Sequence, residues 1–184
     1  MAGPRDSALS IDIAQELTLR ASRSSVFAAL TERVSSWWGP PYLSARATDV
    51  RLESMVGGLM EEIWSGKGGR LLATVTGIDP GQMLELTGPM HLGVVYGVVR
   101  FELDDVPSGT RLRFSHRGIG EVTREDAARF AKGWGELLTV RLAALVEEGK
   151  ELGIAATSRL GRSGKATKRS SRDAGKERDQ RGLS

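Results

Sequence analysis

The chain has 184 residues, with 26 Lys and Arg against 23 Asp and Glu, a formal net charge of +3 and no cysteine. That length suits one domain with a sizeable core, and the absence of cysteine excludes a disulfide framework and thiolate chemistry. No apolar run approaches the ~20 residues that span a bilayer, and the opening MAGPRDSALS lacks the apolar h-region of a signal peptide, so a cytoplasmic protein without a membrane span is expected.

The charge is unevenly placed. Residues 155–184 carry nine Lys and Arg against Asp173, Glu177 and Asp179, a net +6, which leaves residues 1–154 with 17 basic and 20 acidic groups. This tail is rich in Ser, Gly, Arg and Lys and nearly free of large apolar residues. It cannot offset its ordering entropy and is expected to be disordered, as are residues 1–9. A solubilising terminus is one role for it. Weak, nonspecific contact with nucleic acid or acidic surfaces is another, although no aromatic residue is there to stack on bases. The folded domain is placed at residues 10–154.

Residues 10–20 alternate, with Ile11, Ile13, Leu17 and Leu19 on one side and Asp12, Glu16, Thr18 and Arg20 on the other, the pattern of a half-buried strand. Ser22 or Ser24 then caps a short helix holding Val26, Phe27, Leu30 and Val34, and Pro40-Pro41 stops it. Between them stand Trp37 and Trp38. Adjacent residues cannot share one face of a regular element, so one Trp packs inward and the other covers an opening, either as core or as the wall of an apolar pocket.

From residue 44 the pattern is strands separated by Gly-rich turns. Residues 46–54 read as a strand, Gly57-Gly58 breaks the chain, and residues 59–65 place Met60, Glu62 and Trp64 on one face. Gly66-Lys67-Gly68-Gly69 is a hairpin turn. It is not a phosphate loop, because strand-like LLATVTGI follows it instead of a helix. Asp79-Pro80-Gly81 is a turn, Met83 to Thr87 a strand, and residues 92–103 alternate long enough for a central strand. Residues 110–117 put Leu112, Phe114 and His116 on one face, opposite Arg111, Arg113, Ser115 and Arg117.

Residues 123–150 read as one amphipathic helix of about 40 Å. Thr123 is its N-cap, Glu125 and Asp126 complement the first turn, and Gly149 or Gly153 ends it. With Trp134 at zero and about 100° per residue, Phe130, Leu138 and Leu145 fall within roughly 40° of it, and Arg141 only about 20° from the centre of the stripe. A guanidinium aimed at an apolar interior requires a carboxylate, carbonyls, water or an anionic ligand. A structural ion pair with a strand Glu, or a stem that snorkels outward, satisfies it equally well. Strands followed by a long helix argue α+β, with helices on one face of an antiparallel sheet and a cavity between.

The proton-transfer set is thin. His116 titrates near neutrality, with Glu62 and Arg141 as partners; a core histidine satisfied by a backbone carbonyl or by Glu62 explains it as well. His91 follows Pro89-Met90 and reads as a turn residue. No cluster has metal spacing, so neither a metal nor a cofactor is expected.

Several stretches in this order resemble the SRPBCC, or START-like, helix-grip superfamily. Within it the chain is similar to the activator of heat-shock-chaperone ATPase homologue domain and to the branch that includes the calicheamicin self-sacrifice resistance protein. The stretches are residues 26–31 (VFAALT), Trp37-Trp38-Gly39-Pro40, Gly57-Gly58 with Glu62, residues 75–80, residues 110–118 ending in His116-Arg117-Gly118, and Gly133-Trp134. The resemblance implies a seven-stranded antiparallel sheet gripping the C-terminal helix, with a hydrophobic ligand cavity lined by Trp38, Met60, Glu62, Trp64, Tyr96, His116, Phe130 and Trp134. From the residues themselves, Arg141 or His116 is expected to meet one polar group of the ligand. The expected function is a binding module for a hydrophobic small molecule, as monomer or homodimer; a cyclase or hydratase using His116 and Glu62, and a protein partner of a chaperone, are the alternatives. Gly135 departs from the family's usual helix-forming residue. Two glycines flanking Trp134 cost the helix about 1 kcal/mol each relative to Ala, so the helix there either packs close to a strand or bends.

Overall fold

A computed structural model describes residues 7–93 and 95–157. Strand β1 (Ser7–Leu19) is followed by two short helices, α1 (Arg23–Thr31) and α2 (Val34–Trp37), and then by six strands: β2 (Ala47–Leu52), β3 (Leu59–Trp64), β4 (Gly69–Asp79), β5 (Met83–Thr87), β6 (Val95–Val106) and β7 (Gly109–Thr123). The strands form one antiparallel sheet in the order β1-β7-β6-β5-β4-β3-β2. β2 to β7 is thus a meander, and β1 closes on β7 in a register running from Leu19 opposite Thr110 to Ser7 opposite Thr123. Register shifts interrupt the β1–β7, β2–β3, β3–β4 and β4–β5 ladders. Such bulges bend strands and increase twist, which helps the sheet curve.

The alternation read from the sequence places the faces. Ile11, Ile13 and Leu19 of β1 are buried, as are Val99, Phe101 and Leu103 of β6 and Leu112, Phe114 and His116 of β7. β1 begins at Ser7, before the expected start. β7 runs on through Gly118 and Gly120 to Thr123, past the expected end at residue 117.

The C-terminal helix begins where expected. Thr123 accepts the amide of Asp126, and Asp126 returns the bond to the Thr123 amide, a capping box. Helix α3 (Arg124–Glu136) passes into a π-helical segment (Leu137–Leu142) and then α4 (Ala143–Glu148), which ends at Gly149 in the left-handed conformation (φ 68°). Trp134, Leu138, Leu142 and Leu145 are at most 3% exposed. Each contributes about 1.5–3 kcal/mol through burial.

The π-helical segment corrects the expected position of Arg141. Its wider turn makes residues lag behind 100° each, which turns Arg141 off the apolar stripe. Beyond Gly149 the chain folds back. The amides of Leu152 and Gly153 donate to the Ser36 carbonyl and that of Ile154 to the Trp38 carbonyl. The backbones approach so closely that a Cβ on Gly153 would lie 2.3 Å from the Ser35 carbonyl oxygen. Residues 154–157 start a helical turn. The basic stretch from residue 158 and the first six residues lie outside the described residues. Among the described residues no helix is long and apolar enough to cross a membrane.

Candidate functional site

A cavity of about 400 Å³, open to solvent, lies between the long helix, the loop after α2 and the loop after β5, with Arg70 at the start of β4 as its one strand residue. Its apolar wall is Trp38, Leu43, Met90, Phe130, Trp134 and Leu137, and its polar groups come from Tyr42, Ser44, Arg70, His91 and Arg129.

The two adjacent tryptophans divide the work. Trp37 is 1% exposed and its indole donates to the Ala29 carbonyl at 2.9 Å, fixing it in the core. Trp38 is also buried but lines the cavity, meeting Trp134 edge to face with ring centroids 5.2 Å apart. Trp134 is held from behind. It stacks on Phe114 at 4.5 Å, and its indole donates to Nδ1 of His116 at 3.1 Å.

His116 is therefore a support for the wall and is not part of its surface. It is fully buried, and burial pushes its pKa down to about 4. With Nδ1 accepting, the neutral ring carries its proton on Nε2, which has no hydrogen-bond partner among the described residues. That nitrogen faces Gly97, where an added Cβ would lie 3.0 Å away.

Glu62 is brought elsewhere, four strands from His116 in the sheet order, so the expected His116–Glu62 pair is not assembled. The fully buried Glu62 carboxylate accepts the Ser44 amide at 2.9 Å, the Ser44 hydroxyl and the Trp64 indole. Burial pushes its pKa up, but the bonds from Ser44 and Trp64 and the neighbouring His91 outweigh that and hold it below the usual value. His91 Nε2 lies 3.2 Å from Glu62 Oε2, off the angle of a hydrogen bond, and Arg70 meets His91 Nδ1 at 2.9 Å. Arg70 can only donate, so Nδ1 accepts and the neutral tautomer turns its N–H toward Glu62. Burial pushes the His91 pKa down, against the pull of Glu62 and with the help of Arg70.

Arg141 stays out of the cavity. Its side chain is 12% exposed and binds Glu136 through Nε and a terminal nitrogen (3.1 and 2.9 Å), the Pro40 carbonyl at 2.9 Å and the Leu152 carbonyl at 3.3 Å. It is an ion pair, as one reading of the sequence held, but with a helix Glu instead of a strand Glu. It ties the helix to the loop after Trp38 and to the returning chain. Glu136 also accepts the Tyr42 hydroxyl at 2.6 Å; burial and this carboxylate raise the Tyr42 pKa to about 12. The Tyr42 ring lies against Gly133, where a Cβ would sit 3.0 Å from the ring edge, so the close approach at this glycine is to a loop and not to a strand.

Of the expected lining, Trp38, Phe130 and Trp134 face the cavity. Met60 is core, and Trp64 is half-buried between Arg46 and Arg70, whose guanidinium carbons lie 4.3 and 5.8 Å from its ring centre. Tyr96 is 67% exposed on the outer face, paired with Ile119. The sequence reading missed Tyr42, Ser44, Arg70 and Met90, and took His91 for a turn residue only. No local pattern marks them, because separate loops and strand ends converge there. Among the described residues no group of three or more His, Cys, Asp or Glu could hold a metal ion.

A seven-stranded antiparallel sheet curved around a C-terminal helix defines a helix-grip α+β domain of the SRPBCC type. The model of the family described as Activator of Hsp90 ATPase homolog 1-like protein matches residues 20–147, and the chain belongs to that family. Solved structures agree on the fold. The Aha1 dimer from Colwellia psychrerythraea is 22% identical with a TM-score of 0.58, covering 76% of this chain and 98% of that one. A Mesorhizobium loti protein is 19% identical with a TM-score of 0.59, covering 74% and 97%. DynU16, from the dynemicin biosynthetic locus, is 19% identical with a TM-score of 0.57, covering 76% of this chain and 48% of that one. A search of curated sequences finds no match.

Proposed function

We propose that the protein is a receptor for an apolar small molecule, held between the long helix and the loops after α2 and β5. The observation that carries this reading is the cavity of about 400 Å³ walled by Trp38, Leu43, Met90, Phe130, Trp134 and Leu137. That volume lies within the ~300–1,000 Å³ of small-molecule sites, and an apolar wall with a few convergent polar groups is their usual composition. The wall is braced from outside by the His116–Trp134 and Tyr42–Glu136–Arg141 bonds, so it is preorganised. Catalysis through His116 and Glu62 loses support, since the two groups serve different parts of the structure. Family membership favours a second reading, a partner of a chaperone ATPase, which a binding assay with the purified chaperone tests.

Titration with N-phenyl-naphthylamine, a neutral apolar probe that brightens out of water, tests the receptor reading. Saturable one-to-one binding is expected, and it weakens at least tenfold in Leu43→Trp, which narrows the cavity. Absence of saturable binding, or unchanged affinity in a folded Leu43→Trp protein, contradicts the reading.

A further inference from the structure

The cavity carries an uneven charge at its rim. Among the described residues no carboxylate lines it, whereas two guanidiniums do. Arg129 is already paired with Asp126. Arg70 has no carboxylate partner among the described residues: one terminal nitrogen meets His91, and its remaining N–H groups are uncommitted. The nearby acid, Glu62, is occupied by Ser44 and Trp64 and lies behind neutral His91.

The arm that carries His91 is also unusual. Met90 and His91 both adopt left-handed backbone, with φ of 45° and 71°. Such conformations are uncommon outside glycine and concentrate at binding sites, where the surroundings hold them in place. Here they set Met90 in the apolar wall and His91 on the Arg70 guanidinium, so one strained dipeptide supplies both the greasy and the polar edge of the rim. Trp64 supports Arg70 from below, with the guanidinium carbon 5.8 Å from its ring centre.

We propose that the cavity selects apolar molecules bearing an acidic group with at least two oxygens, a carboxylate or sulfonate, which docks on the free donors of Arg70 beside His91. This rests on the receptor reading above and adds the chemical class of the ligand. An Arg fork suits such a group because its parallel N–H bonds match two oxygens of the anion.

Two probes with one skeleton test it: anilinonaphthalene sulfonate, which carries an anion, and neutral N-phenyl-naphthylamine. The two should displace each other from a single site. At about 20 mM salt the anionic probe binds about fivefold tighter or better, and the ratio falls toward one at about 0.5 M salt. Arg70→Gln removes the preference while the neutral probe keeps its affinity, which also shows that the variant is folded. Arg117→Gln, at an exposed arginine outside the cavity, leaves the preference in place. Equal affinities in the unaltered protein overturn the selection and leave the cavity reading standing. A preference that survives Arg70→Gln overturns the assignment to Arg70. Failure of both probes to bind overturns the receptor reading and this inference with it.

Discussion

The indole N–H of Trp134 donates to Nδ1 of His116 over 3.1 Å, which joins the long helix to strand β7 directly behind the cavity wall. The bond holds only while the imidazole is neutral, since a protonated ring has no lone pair on Nδ1.

Acid should therefore weaken the fold in a defined window. The folded pKa of His116, about 4, lies below the ordinary value of 6.5, so between these values the unfolded chain binds a proton that the folded chain does not. The contribution is fully present above pH 6.5 and is lost as pH falls toward 4, amounting to at most about 3 kcal/mol. His116→Gln keeps an acceptor for the indole and removes the titration. Urea denaturation from pH 4 to 7 should show a shallower pH slope in the variant, with His91 leaving a residual slope of the same sign. Identical slopes contradict the assignment.

Glu62 adds a second acid-sensitive element. Its lowered pKa means that its contribution is present above the usual carboxylate range and is lost as pH falls through the folded value. Glu62→Gln turns one acceptor oxygen into an amino group facing donors from Ser44 and Trp64, and should cost about 1–3 kcal/mol at pH 7. The difference between variant and parent should narrow as the pH is lowered; a difference that widens argues against an ionised Glu62.

The two glycines beside Trp134 should respond differently. A Cβ on Gly135 meets only Gln15 Nε2 at 3.9 Å, whereas one on Gly133 presses on the Tyr42 ring at 3.0 Å. Gly135→Ala is expected to stabilise by about 0.5–1 kcal/mol through helix propensity. Gly133→Ala should gain less or lose stability and shift the Tyr42 resonances. Chemical denaturation of both variants checks this.

Arg141 should act as a clamp. Arg141→Gln removes the Glu136 ion pair and the bonds to the Pro40 and Leu152 carbonyls, and is expected to cost about 1–3 kcal/mol. Hydrogen exchange should quicken first at the amides of Leu152, Gly153 and Ile154. Arg141→Lys should rescue little, because an ammonium cannot span three acceptors in the same plane. Full rescue by Lys contradicts the clamp.

Much of this architecture was legible in the residues. Alternation placed the strands and their inner faces, and Thr123 and Gly149 marked the ends of the long helix. Tyr96 was legible but misread: it shares parity with Arg100, Glu102 and Asp104, which alternation turns outward, and not with Gly97, Val99 and Phe101. Arg141 was not legible, because a π-helical turn is stabilised by tertiary packing and leaves no local signature. Arg70 and His91 meet only when the turn after β3 and the loop after β5 close over the same opening, a juxtaposition set by the sheet and not by spacing along the chain.

The most direct test of the receptor reading follows the indole N–H resonances of the four tryptophans while N-phenyl-naphthylamine is added. Saturable shifts at Trp38 and Trp134, with Trp37 unmoved on its bond to the Ala29 carbonyl, are the expected result. Shifts confined to Trp37 or Trp64, or none at Trp38 and Trp134 at saturating probe, contradict it.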